Sequence, residues 1–151
     1  MKYSGIGGQA VIEGVMGYYD GLAGISVSAS AWDLADTTKT PAVLLVNCKG
    51  MSVSTVPFIK GFLEYKKDSH IKGVILNRIS GMLYPRVKEM IEKQLPVKVY
   101  GYLPELKDCL LESRHLGLVL PEEIEDLQMQ LDTLAEAMEK AAEEKGINLT
   151  I

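Results

Sequence analysis

PAVLLVNCKGMSVSTVPFIKGFLEYKKDSHIKGVILNRI, residues 41–79, carries two short apolar blocks, Ala42 to Asn47 and Ile71 to Asn77, separated by a longer segment of different rhythm. Both blocks are rich in Val, Ile and Leu without polar alternation, as expected of strands covered on both faces. Between them Val53, Val56, Ile59 and Leu63 recur at the spacing of a helix with one apolar stripe. Parallel neighbours need a crossover connection, so strand, helix, strand at this length reads as the unit of a parallel sheet.

The same rhythm continues downstream. Leu83, Val87, Met90 and Ile91 form a second helical stripe, and Val97 to Tyr102 a further strand. Pro57 and Pro85 each fall early in their helical segments, where a missing N–H costs least. Upstream, Ala10 to Gly14 reads as a strand and Ser28 to Asp36 as a short helix. At the C-terminal side Pro121 precedes Ile124, Leu127, Leu131, Leu134 and Met138, and Gly146 closes the segment, which predicts a helix over 121–145. Its acidic face, interrupted by Lys140 and Lys145, reads as a solvated surface. The expected architecture is α/β, an open and mainly parallel sheet with helices on both faces, in a single domain over 1–151 with an atypical segment at 1–10.

A chain of 151 residues with 47% hydrophobic and 24% charged residues can bury one core. The net charge of -4 and the scatter of the 16 Lys and Arg residues give no steady attraction for nucleic acid or an anionic membrane. The apolar runs are far shorter than the roughly 20 residues that cross a bilayer. No signal-peptide stretch follows Lys2, and two cysteines make no disulfide framework, so cytoplasm is expected.

In open parallel sheets ligands bind beyond the carboxyl ends of strands, which draws attention to Glu13–Asp20 and to Asn77-Arg78. A strand-end carboxylate such as Glu13 suits Mg²⁺, which takes one or two protein carboxylates beside nucleotide phosphates. Asp20 could position or deprotonate an attacking group near that metal, and the paired donor and acceptor of Asn77 could read the edge of a nucleotide base. The structural alternatives are that Asp20-Gly21 makes a turn and that Asn77 caps a helix.

The string EGVMGYYDG at 13–21 closely matches the EGVMGLYDG signature of the cobyrinic acid a,c-diamide synthases, a dethiobiotin-synthetase-like group of P-loop amide-forming enzymes. SASAWDLAD, PAVLLVNCKGMSVS, IKGVILNRI, VKVYGYLP and ESRHLGLVLPEE follow in the family's order, so the chain resembles that family from about Val11 to the final helix. The resemblance implies Glu13 at the metal-nucleotide site, Asp20 at the reacting carboxylate and Asn77 at the base. It further implies Mg·ATP, a corrinoid substrate, and amidation of the a and c carboxylates of cobyrinic acid with ammonia from glutamine, a step of cobalamin synthesis.

Departures from the pattern accompany the matches. A P-loop requires G-x-x-x-x-G-K-[ST], and MKYSGIGGQA, which precedes the matched strand, holds glycines but no GK[ST], so the first strand and phosphate cradle are expected to be missing. That opening, as GGQAVIEGVM, also resembles the start of a bacterial membrane-protein family, a match that ends near Met16. Asn47 stands where the resembled family often has Asp, and Glu105 follows Leu103-Pro104 where Arg or another residue is common, departures that are expected to weaken the nucleotide site further. Neither Cys48 nor Cys109 sits on the Gly-flanked turn of a glutaminase nucleophile, and His70 and His115 lie in loop-like stretches. The expectation is therefore an incomplete or inactive synthase-like protein, with a glutaminase or P-loop-bearing subunit in trans, or a non-catalytic binding or interaction module. The lost strand would leave unpaired backbone groups, which predicts a homodimer.

Overall fold

The computed structural model describes residues 11–106 and 126–143. They fall in two compact units that divide between Thr40 and Pro41.

In the first unit a 3-10 turn, Leu22–Gly24, precedes helix α1, Ala31–Thr38. The sequence places this helix from Ser28, but Ser30 is its N-cap: the Ser30 hydroxyl accepts from the Asp33 N–H at 3.2 Å, and the Asp33 carboxylate accepts from the Ala29 N–H at 2.7 Å. Such reciprocal capping satisfies amides that the helix start leaves open. The helix ends where Lys39 turns left-handed at φ 54°. Val11 to Gly14, read above as part of a strand, forms none, and Val11 is 94% exposed. An apolar run becomes a strand only with a partner ladder, and this one has none among the described residues.

The second unit alternates β1 (Ala42–Asn47), α2 (Thr55–Glu64), β2 (Ile71–Asn77), α3 (Tyr84–Gln94) and β3 (Lys98–Leu103), followed by α4 (Leu127–Glu143). The strands form a parallel sheet in the order β1-β2-β3, the α/β arrangement that the alternation at 41–103 requires. The α2 stripe buries Val56 and Ile59 and the α3 stripe buries Tyr84, Val87 and Ile91, the strands bury Val46, Val74, Leu76 and Val99 fully, and α3 packs on α2 and β3. Each such side chain contributes about 1.5–3 kcal/mol relative to exposure. Pro85 lies in the first turn of α3, as its fixed φ favours.

Two expectations shift in detail. Central β2 is covered as its composition demands, with Ile71, Gly73, Val74 and Leu76 buried, whereas β1 alternates: Val43 is 40% and Leu45 60% exposed. A marginal strand need bury only one face, even when every residue is apolar. In α4 the half-buried positions are Leu127, Gln130, Leu134 and Ala137, while Leu131 is exposed. The helix is thus rotated from the stripe its leucines suggest, and it packs on β3. Pro121, Ile124 and Gly146 lie outside the described residues.

Candidate functional site

Parallel register brings the carboxyl ends of all three strands level. Asn47 pairs with Asn77, and Asn77 with Leu103. Beyond them lies a cavity of about 370 Å³ lined by Asn47, Asn77, Arg78, Leu103, Pro104, Glu105, Leu106 and Leu134. It occupies the place where open parallel sheets bind ligands.

Each strand delivers a different chemistry to this cleft. At the end of β1 the Asn47 side-chain oxygen accepts from the Lys49 N–H at 3.2 Å, and Gly50 turns the chain at φ 74° toward α2. A left-handed residue at that point favours glycine. At the end of β2 the half-buried Asn77 is followed by Arg78 at φ 59°, a left-handed conformation that a bulky side chain adopts at a cost. The backbone then returns to the sheet, where the Ile79 N–H donates to the Leu103 carbonyl at 3.3 Å. After β3, Glu105 reaches back to Lys49, with Nζ to Oε1 2.8 Å, joining the first and third strand-end loops.

The cleft therefore offers two amides and a guanidinium between apolar walls from Leu103, Pro104 and Leu134. A flat polar heterocycle suits such a lining, because an amide presents a donor and an acceptor side by side. Asn77 does not cap a helix: α3 begins at Tyr84, and the Ser80 hydroxyl accepts from Leu83 N–H at 3.3 Å.

The other two sequence candidates lie in the first unit. Glu13 is exposed within the irregular Val11–Gly14 segment. Asp20 is exposed and its N–H donates to the Gly17 carbonyl at 2.9 Å, so the turn reading of this stretch is realised while the carboxylate stays open to solvent. Gly17 lets the Asp20 carboxylate lie close over its backbone, where a Cβ would push that side chain aside. The loop is fixed further by Gly21 and Leu22 N–H groups donating to the Ser26 and Ser28 carbonyls at 2.9 Å each, and by Trp32 N–H donating to Tyr18 O at 3.0 Å. Tyr18, Tyr19 and Trp32 form an aromatic cluster beside it.

Among the described residues no group of three or more His, Cys, Asp or Glu could hold a metal ion. The exposed carboxylates of Glu13 and Asp20 fit magnesium only as it accompanies phosphates, one or two protein oxygens completing a largely non-protein shell. Cys48 is buried at 2% exposure, and burial pushes its thiol above the usual range, partly offset by the Thr55 hydroxyl. It is a core group and a poor nucleophile. His70 is buried before the first residue of β2, at the opposite end of the strand from the cleft. Cys109 and His115 lie outside the described residues.

Glu105, met in the sequence as a departure after Leu103-Pro104, is joined to Lys49 by folding rather than by pattern, and so is Leu134 to the cleft. Lys49 and Glu105 are 56 residues apart, and Leu134 reads in sequence as part of an ordinary apolar stripe. No helix among the described residues is long and apolar enough to cross a membrane.

No family model matches the chain, and no solved structure matches it. Curated proteins do. A protein named cobyrinate a,c-diamide synthase from Caldanaerobacter subterraneus subsp. tengcongensis is 41% identical over 144 residues, covering 94% of this chain and 32% of the relative. One of the same name from Streptococcus sanguinis is 38% identical over 149 residues, covering 98% and 32%. Another from Saccharolobus solfataricus is 37% identical over 131 residues, covering 86% and 29%. The chain spans about a third of the length of these relatives. Identity at this level across nearly all of its residues, in bacterial and archaeal relatives alike, means that the chain belongs to the cobyrinate a,c-diamide synthase family.

Proposed function

We propose that this chain is the nucleotide-base and carboxylate-handling portion of a cobyrinate a,c-diamide synthase-like amidoligase, and that it has no synthase activity alone. The observation that carries this reading is the level ending of Asn47, Asn77 and Leu103 around one cavity, in a chain matched along nearly its whole length by proteins bearing that name. Asn77 would hold the base edge of ATP, Glu13 would complete the shell of its magnesium, and Asp20 would orient the carboxylate to be amidated. Bound Mg·ATP would supply the phosphoryl group that activates the a and c carboxylates of cobyrinic acid for displacement by ammonia drawn from glutamine.

Inactivity alone follows from positioning. Phosphoryl transfer depends on a cradle that fixes the γ-phosphate in line, and no Gly-Lys-Ser or Gly-Lys-Thr occurs in the 151 residues. A P-loop-bearing or glutaminase subunit acting in trans, in the cytoplasm, would complete the reaction. A non-catalytic binding or interaction module is the second reading, and the exposed apolar side chains of Val43 and Leu45 on β1 favour it. Self-association as a homodimer belongs to either.

Equilibrium dialysis with Mg·ATP separates the two. Binding that is lost in both Glu13→Ala and Asn77→Ala supports the nucleotide reading. Absence of binding at millimolar nucleotide removes it and leaves the interaction module.

A further inference from the structure

Asn77 and Arg78 are consecutive residues, and both line the cleft at the end of β2. Extended backbone would separate them, because successive side chains of a strand point to opposite faces. The left-handed conformation of Arg78, at φ 59°, breaks that alternation and brings both side chains to one cavity. Arginine, unlike glycine, takes such a backbone only at a cost, and strain of this kind collects where a side chain must be aimed.

The surrounding structure holds the strained residue from both sides. The Asn77 carbonyl accepts from the Cys48 N–H at 2.7 Å, which ties the preceding residue to the end of β1. The following residue, Ile79, is 2% exposed and donates its N–H to the Leu103 carbonyl at 3.3 Å, which ties it to β3. Arg78 is thus set between two anchored neighbours and is itself half-buried in the cavity wall. A backbone fixed in advance reduces the ordering cost of binding. Leu103, Pro104 and Leu134 make the apolar part of the same lining, against which a flat ring can lie.

We propose that the Arg78 guanidinium covers one face of the base whose edge Asn77 holds, with the apolar wall of Leu103 and Pro104 against the other face. This rests on the reading of the cleft as a nucleotide-base site. A guanidinium is planar and weakly hydrated and stacks on aromatic rings, whereas an ammonium is a compact, strongly hydrated charge. Consecutive Cα atoms lie about 3.8 Å apart, so the neighbour of a residue at the base edge stands nearer to the base than to phosphates beyond the ribose. Every base has a face to stack on, so Arg78 adds affinity while Asn77 selects the base.

Isothermal titration of the full chain with Mg·ATP and, separately, with adenosine tests this, with circular dichroism to verify the fold. Arg78→Lys keeps the charge and loses the plane, and it is expected to weaken ATP and adenosine alike, about fivefold. Arg78→Gly takes the left-handed backbone without strain, so it keeps the fold, and it is expected to bind both ligands at least as weakly as the lysine variant. ATP affinity unchanged in either variant overturns the proposal, since the charge or the backbone alone would then suffice. A loss for ATP with none for adenosine places Arg78 at the phosphates and overturns it as well, as does ATP binding without adenosine binding at millimolar concentration. ATP binding weakened in Asn77→Ala yet kept in Arg78→Lys leaves the base reading standing and removes this proposal alone, whereas no ATP binding by the unmodified chain overturns both.

Discussion

Asn47 and Asn77 stand opposite one another in the parallel register of β1 and β2, so two neighbouring strands end in a carboxamide at the same level of the sheet. Their environments differ. Asn47 is exposed and its side-chain oxygen is engaged by the Lys49 N–H, whereas Asn77 is half-buried beside Arg78 in the cavity wall. Equal register with unequal surroundings makes loop-setting the part of the first amide, and under the proposed function base recognition would fall to the second.

Asn77→Ala is therefore expected to weaken ATP binding about tenfold, near 1.4 kcal/mol, the scale of losing paired hydrogen bonds to a base. Binding of inorganic triphosphate, which has no base, should not change. Competition dialysis with both ligands checks this, and an equal loss for the two would show that Asn77 acts on something other than the base.

The Lys49–Glu105 bridge gives a second expectation. Both side chains are about half exposed, so Glu105→Gln should alter unfolding free energy by less than about 1 kcal/mol. It removes the carboxylate that pairs with Lys49 and lines the cleft with Arg78, so anionic nucleotides should bind a few-fold more tightly at low ionic strength. Screening at high salt should erase the gain. Titrations at two salt concentrations measure it, and a gain that survives high salt contradicts an electrostatic origin.

How far residues alone carried the fold is clearest at α2. Val53, Val56, Ile59 and Leu63 fix the helix and its inward face, yet Val53 is 64% exposed because the helix starts at Thr55 and Val53 still belongs to the loop. Periodicity reports which residues share a face only inside the helix, and it does not mark the first turn. The same limit applies to Val11–Gly14, whose composition suits a strand but which lacks a pairing partner among the described residues. At the site, Asn77 was legible because strand ends in parallel sheets are where ligands bind. The pairing of Lys49 with Glu105 was not, since no local pattern announces an ion pair between loops 56 residues apart.

That contrast is measurable as stability. Ile59→Ala, at a position with no exposure, should cost about 2–5 kcal/mol through lost burial and the cavity left behind. Val53→Ala, two residues before α2, should stay within about 0.5 kcal/mol. Urea unfolding of both variants decides it, and similar costs would place Val53 in the core.

The last expectation concerns Cys48 and alkaline pH. Its thiol is raised above its ordinary value of 9.0, burial being the larger cause and the Thr55 hydroxyl opposing it. A raised value in the folded chain means that the folded state keeps the proton when the unfolded chain has released it. Below about pH 9 both states hold the proton and this group adds no slope to stability. As pH climbs past 9 toward the raised folded value, ionisation of the unfolded chain draws the equilibrium toward unfolding, so stability falls. Cys48→Ala should remove that part of the alkaline decline while lowering stability at neutral pH through the space it leaves beside Thr55. Urea midpoints at neutral pH and at successive alkaline values, compared between the two proteins, measure the difference in slope; identical alkaline slopes would mean that the Cys48 thiol ionises as readily in the folded chain as in the unfolded one.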